Sequence, residues 1–451
     1  MQEETTQIIN RAYQTWWESL SKELLVLDGK EKWKTVNKLL EHSTVQQQVQ
    51  PLRKTDIQGK CHYVFEDEEI SNMLRDYHIG TEVKRAKGED DNLQESLANM
   101  TAKVQQGNGS RIMNSDISIE EVKMTFGKCS GTSGPDKISK DMIDKADRET
   151  MLQCLHYIYQ SAWQNGIFLE TWKEENRNVL PKPGKDDYHE CNAYRTVSVT
   201  SILGKRFEHI TSKRLLAAIN SDKFDKNQYA YLAGRSSTQA ILVLVEEIKR
   251  ALQSGKSAAA IFFDMTDAFG SVDRQQLLWK IGKHFNISGN LFLHLKSFLS
   301  SRKARIILRE HIGQWTNSDN GTSAGTILGS ILFILYIYDA PKSANPKFAD
   351  DINSFCIADD PITVQYMLQQ ASNEILNWSI KWGLEVNFTK TKVMPFGTTG
   401  KINIVLNGKE IENVSEYRDL GVMLDTNLIF EKQVDFALER AKKTHGKWPI
   451  S

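Results

Sequence analysis

The chain has no net charge, no long hydrophobic run and no paired cysteines, and each absence removes a class of function. Lys plus Arg and Asp plus Glu number 57 each over 451 residues, so no global field advertises a nucleic-acid or membrane partner. Local patches have to carry any such role. The longest apolar runs, such as ILFILYIY from Ile331 to Tyr338, fall well short of the roughly 18 residues that cross a bilayer. The opening MQEETTQ is acidic and polar where a secretory leader is basic and then greasy. The expectation is an intracellular chain without a membrane partner. Five cysteines, Cys61, Cys129, Cys154, Cys191 and Cys356, are odd in number and widely spaced without a CxxC pair. That argues against a disulfide framework or a zinc site and for buried free thiols. No fixed-period repeat and no oligomerisation signal is visible.

The length allows two or three domains and at least one sizeable core. The first hundred residues alternate helical patches such as WWESLSKELLVL and EKWKTVNKLL with polar stretches; in the second patch Trp33, Val36, Leu39 and Leu40 share one helical face. KGEDDNLQES (87–96) and KVQQGNGSR (103–111) are poor in apolar residues and read as loops around a soft domain boundary. Further on, Ala240, Ile241, Leu244, Val245, Ile248 and Leu252 repeat at helical spacing behind a candidate Ser236–Gln239 capping box. SAAAIFFD is a nearly continuous apolar run ending in Asp264, the pattern of a buried strand that delivers a carboxylate to its end. From Val364 to Trp382 another helical stripe, best explained as core packing, includes Leu368, Ile375 and Trp378.

KFADDINSF (347–355) sets Asp350 and Asp351 side by side. Alone, the pair has an ordinary explanation, because Asp favours tight turns. Asp264 at the end of its own apolar strand changes the weighing. Three converging carboxylates repel unless cations lie between them, and hard oxygen ligands in that number suit magnesium. Two such ions can activate a hydroxyl and stabilise the leaving oxygen of an in-line phosphoryl displacement. The chemistry so indicated is nucleotidyl transfer.

The ordered set SGPDKIS, LPKPGKDD, NAYRTVSVTSILGKRFEHI, QYAYLAGRSSTQAI, IFFDMTDAFGSVD, AGTILGSILFILYIYDAP, FADD, WGLEVNFTKTKVMPFG and YRDLGVMLD resembles the reverse transcriptase of LINE-like, jockey-type non-LTR retrotransposons. The resemblance implies an α/β (α+β) right-hand polymerase with fingers, a palm built on an antiparallel sheet, and a partial thumb. It divides the chain into a helical linker-like extension (1–105), fingers and palm (106–395), and a primer-grip hairpin with the start of a thumb (396–451). It implies RNA-directed DNA synthesis with an RNA template, a DNA primer or nicked DNA target, deoxynucleoside triphosphates and two magnesium ions, manganese being a substitute. Asp264, Asp350 and Asp351 match the metal-binding catalytic carboxylates, and Lys390 a residue that protonates departing pyrophosphate. Lys182, Arg195, Phe269 and Gly325 match nucleotide-binding positions, Phe269 as the aromatic gate against a 2′-hydroxyl. Gly234 and Arg235 match a turn beside the template. Arg302, Lys303 and Arg305 lie in KSFLSSRKARIILR, a segment with five bases and no acid that suits a phosphate track or, equally, an ordinary charged surface. A nuclear location is implied by the family's chromosomal target.

Several positions depart from the family pattern. Ser323-Ala324-Gly325 stands where the family has Pro-Gln-Gly, Thr196 replaces a proline, Ala230 a glycine, Gly270 an aspartate, Tyr338 an asparagine and Asp419 an aromatic. SANPKFADD offers little apolar strand before the paired aspartates, and Pro346 lacks a ladder donor. These departures keep two alternatives open: a catalytically silent remnant that binds RNA or RNA–DNA duplex, and an RNA-templated RNA polymerase, against which Phe269 argues.

Overall fold

The computed structural model describes residues 49–55, 59–80, 86, 88–105, 111–127, 132–219, 221–323 and 325–445. The two helical patches expected before residue 41, as well as Cys129 and Ala324, lie outside these. The chain divides into two compact units, Met1–Tyr63 with Leu180–Tyr194, and Val64–Val179 with Arg195–Ser451. In the first, Arg53 bonds Asp187 at 2.7 Å and Glu190 at 3.1 Å, joining the strand Leu52–Thr55 to the second segment.

The larger unit is organised around the strand Ser257–Phe263, whose residues Ala258 to Phe263 are all buried. Its alternation explains why the run is apolar throughout. Ala259, Ile261 and Phe263 face the principal core, while Ala258, Ala260 and Phe262 face a second core; a strand covered on both sides has no polar face to show. The second core is closed by the helix Ser237–Gln253, which starts at the expected capping box, with Ser236 and Gln239 bonding reciprocally. The helix Pro361–Lys381 packs across the strands Ser257–Phe263 and Asp351–Ala358. Asp360 caps it by accepting from Thr363 N, and proline opens its first turn, where its missing N–H has no helical partner to lose.

Among the described residues the sheet around this strand has five members. Asp351–Ala358 and Lys392–Phe396 flank it in antiparallel pairing, Lys347–Phe348 extends one edge, and Glu412–Asn413 adds a parallel strand at the other. A second sheet carries Glu174–Pro181 between Tyr194–Val199 and Lys303–Leu308, the last pair being parallel. This is a mixed α/β fold.

Two local expectations are corrected. Residues 93–96 and 103–105 are helical within Leu93–Gln105 rather than loop, because Leu93, Leu97 and Met100 recur on one face and pack on the principal core. Among the described cysteines only Cys356 is buried, while Cys61 and Cys154 are exposed. No helix among the described residues is long and apolar enough to cross a membrane.

Candidate active site

The sheet register gathers the carboxylates. Ile352 pairs with Phe263, so one step further along the same antiparallel ladder Asp351 stands beside Asp264. Asp350 occupies the turn between the paired residues Phe348 and Asp351. Ala349, its partner in that two-residue turn, has φ 57°, the left-handed region in which a Cβ is crowded. A positive φ at the first turn residue alone is the sign pattern of a type II′ hairpin, a place usually filled by glycine.

The poor first strand is completed in an unexpected way. Pro346 contributes its carbonyl, which accepts from Asn353 N at 3.0 Å, and Asn345 N donates to Asn353 O at 2.7 Å. The ladder thus continues past the proline. On its other side Lys347 meets the segment 227–229: Lys347 N donates to Asn227 O at 2.9 Å, and Tyr229 N to Lys347 O at 2.8 Å.

The electrostatics of this cluster are unbalanced. Burial and then the neighbouring Asp264 charge raise the Asp350 carboxyl above its ordinary range. Asp351 reaches solvent, yet desolvation by the surrounding protein, followed by repulsion from Asp350 and Asp264, pushes it up to about 6. A fourth carboxylate, Asp419, comes from the hairpin Glu416–Asp419/Val422–Asp425. It is buried, accepts from Asn353 Nδ2 at 2.8 Å, and is pushed up to about 7 by burial and by Asp351. The hairpin is seated by Tyr417, which stacks on Phe262 at 4.3 Å. Lys390 Nζ approaches Asp264 Oδ2 at 3.3 Å. As they stand, no three acidic, His or Cys side chains among the described residues close into a ready-made metal cage. The donor set is nonetheless one of hard oxygens that repel one another, which is the chemistry that fits a hard divalent cation.

The other expected residues fall into three groups. Around the loop before the helix Ile327–Tyr336, Phe269 stacks on Phe333 at 4.2 Å, and its carbonyl accepts from Thr322 N at 2.9 Å, tying the aromatic to the loop that leads to Gly325. Gly325 has φ 103°, and a Cβ there would lie 2.8 Å from Ser198 O, so the loop requires glycine. Gly234 also takes a left-handed turn, φ 75°, and Arg235 beside it directs its guanidinium to the carbonyls of Asp225, Lys226 and Gln228. On open surface, Arg195 and Lys303 are exposed, and Arg305 lies 4.2 Å over the Trp315 ring and bonds Asn176 at 2.8 Å. In the smaller unit, Lys182 Nζ donates to Asn192 O at 3.0 Å. Arg302 is the exception in its segment: it is buried, 2% exposed, with Glu175 at 3.5 Å and the carbonyl of Phe298 at 3.3 Å. That burial turns it away from any exposed phosphate track.

Two buried groups near the Gly325 loop were not singled out from the sequence, although Glu208 lies within the NAYRTVSVTSILGKRFEHI motif. Glu208 Oε2 accepts from Ile327 N at 2.8 Å and Leu328 N at 3.1 Å, capping the helix Ile327–Tyr336 that follows the Gly325 loop. Arg274 donates to the carbonyls of Gly321 and Asn320, each at 2.8 Å, and to Ser318 O. Asp419 did carry a signal, since it replaces an aromatic of the family pattern.

A cluster of mutually repelling carboxylates at the end of a mostly antiparallel sheet is an arrangement suited to metal-assisted phosphoryl transfer. A family model described as reverse transcriptase (RNA-dependent DNA polymerase) matches residues 180–424, and the chain belongs to that family. It is 26% identical over 341 residues to a probable RNA-directed DNA polymerase from transposon X-element of Drosophila melanogaster, covering 70% of this chain and 36% of that protein. It is 25% identical over 357 residues to the RNA-directed DNA polymerase from mobile element jockey of the same fly, covering 75% and 38%. The jockey enzyme of Drosophila funebris gives 25% over 342 residues. The chain therefore spans little more than a third of the length of these curated relatives, and its lineage is that of LINE-like non-LTR reverse transcriptases.

Proposed function

We propose that the chain extends a DNA 3′-hydroxyl on an RNA template, using deoxynucleoside triphosphates. The observation that carries this reading is the meeting of Asp264, Asp350 and Asp351 at one sheet end, where burial and mutual repulsion raise Asp350 and Asp351. Divalent metal use is general in reverse transcriptases. In this chain Asp264, Asp350 and Asp351 would hold two magnesium ions, which when bound supply charge neutralisation and activation of the attacking hydroxyl. Lys390, ion-paired to Asp264, keeps a proton within reach of that carboxylate and of a departing pyrophosphate. Phe269, fixed by its stack on Phe333, fills the space a ribose 2′-hydroxyl would need. Gly325 lets backbone approach the nucleotide, and Lys182 and Arg195 supply positive charge for triphosphate and template. Gly234 with Arg235 shapes the turn on the template side, and Lys303 and Arg305 follow a phosphate backbone. The partition into extension (1–105), fingers and palm (106–395), and grip with incipient thumb (396–451) belongs to the same proposal, as does a nuclear site of action on a nicked DNA target.

The test is primer extension on an RNA template with a DNA primer, magnesium and deoxynucleotides. The unaltered chain extends the primer, whereas Asp264→Asn and Asp350→Asn reduce extension at least about 100-fold while still binding the duplex. Extension that survives either substitution removes these residues from the chemistry. Salt-sensitive duplex binding with no incorporation by the unaltered chain would overturn the polymerase reading.

A further inference from the structure

We propose that Gln228 is a positioning residue for the catalytic turn, acting as a clamp on the amide that precedes Asp350. Its catalytic consequence rests on the polymerase reading above; the clamp itself rests on geometry.

Ala349 is buried and held at φ 57°. A non-glycine residue in that region is strained and persists only where its surroundings over-determine it. The flanking strand Lys347–Phe348 is two residues long, continued only by the bonds of Asn345 and Pro346 to Asn353. What holds it comes from 121 residues upstream. Gln228 is 3% exposed, and its Oε1 accepts from Ala349 N at 3.1 Å and from Ala230 N at 2.8 Å. One side-chain oxygen thus joins the turn to the 228–230 segment.

That segment is itself immobilised. Gln228 bridges Lys347 in parallel fashion. The Lys347 ammonium is buried and reaches Asp225 Oδ2 at 2.5 Å and Ala344 O at 2.8 Å. From the far side, Arg235 gathers the carbonyls of Asp225, Lys226 and Gln228. A lysine that would be a flaw in an apolar strand is therefore the bolt that fastens the strand to its rail. Breaking a buried pair from one side is strongly destabilising, which makes Gln228, a neutral side chain, the cleaner point of test.

Gln228→Met keeps length and volume but removes the acceptor, leaving the Ala349 and Ala230 amides unpaired. Hydrogen exchange of the peptide spanning 345–353 is measured by mass spectrometry beside steady-state extension. The expected result is about ten-fold faster exchange at this turn and about ten-fold lower turnover, a loss of roughly 1.4 kcal/mol, with nucleotide KM and duplex affinity within about two-fold. Gln228→Glu, which retains an oxygen at Oε1, restores slow exchange. Unchanged exchange in Gln228→Met overturns the clamp, and faster exchange with unchanged turnover overturns the positioning role. If the unaltered chain extends no primer but the exchange difference remains, the clamp stands and the polymerase reading falls.

Discussion

Two groups of charge in the larger unit, one buried around Glu175 and one at the end of the central sheet, are balanced in opposite ways. Behind the Gly325 loop, Glu175 is fully buried, and desolvation alone would raise its carboxyl; Arg177 at 2.7 Å and Arg302 overrule this and hold it down to about 2. Burial lowers the guanidinium of nearby Arg274 to about 9, and that group is satisfied by loop carbonyls. At the sheet end the pattern reverses, since Asp350, Asp351 and Asp419 are all raised by burial and by one another or by Asp264. Charge neutralised within the chain does structural work, fixing the loop that carries Gly325. Charge left uncompensated destabilises the folded state, and the divalent cations proposed for these carboxylates would relieve that repulsion when bound.

The contrast is broken most directly by neutralising one acid in each group. Glu175→Gln strands Arg302 and Arg177 without their carboxylate, and urea denaturation is expected to show a loss of about 3–5 kcal/mol. A loss under about 1 kcal/mol would mean the network is incidental. Asp351→Asn is expected to act with the opposite sign, raising metal-free stability by about 0.5–2 kcal/mol while abolishing extension. A clear loss of stability would show that the aspartates are already compensated.

A pH titration sharpens the same point. Asp351 and Asp419 hold protons up to about 6 and about 7 when folded, against about 3.9 for an unperturbed Asp. The folded state therefore binds more protons in this window, and their contribution to stability is full below about pH 4 and lost as pH rises through 6 and 7. Thermal unfolding in chelator, with Asp351→Asn/Asp419→Asn beside the unaltered chain, should show the double variant gaining ground as pH rises from 4 to 7.5. A gap that stays constant with pH would refute the raised carboxyls. The smallest effect belongs to exposed Lys303: Lys303→Ala should reduce the slope of log affinity for duplex against log salt by about 1, and an unchanged slope would take it off the phosphate track.

The local elements were readable where one segment carries all the information. The capping box at Ser236 and Gln239, the apolar run ending at Asp264 and the stripe from Val364 to Trp382 each announce themselves within twenty residues. Motif order points to Asp264, Asp350 and Asp351 together, and the pairing of Ile352 with Phe263 puts Asp351 beside Asp264. What stayed hidden depends on partners remote in sequence. Arg302 looked like one of five surface bases, and only Glu175, 127 residues upstream, makes it a buried ion. The hairpin before Asp350 looked deficient because its missing support, Gln228 and Asp225, comes from another segment. Periodicity reports on neighbours along a helix or strand, and it is blind to such pairings.

The central strand Ser257–Phe263 also sets a timetable for synthesis. Its antiparallel neighbours are Asp351–Ala358 and Lys392–Phe396, so both edges of an Ala-Ala-Ala-Ile-Phe-Phe ribbon leave the ribosome unpaired. At about 5–20 residues per second, roughly 5 to 20 s pass before the first neighbour emerges. Through that interval the ribbon is a template for strands of other nascent chains, and the yield of folded protein is decided by what shields it during those seconds.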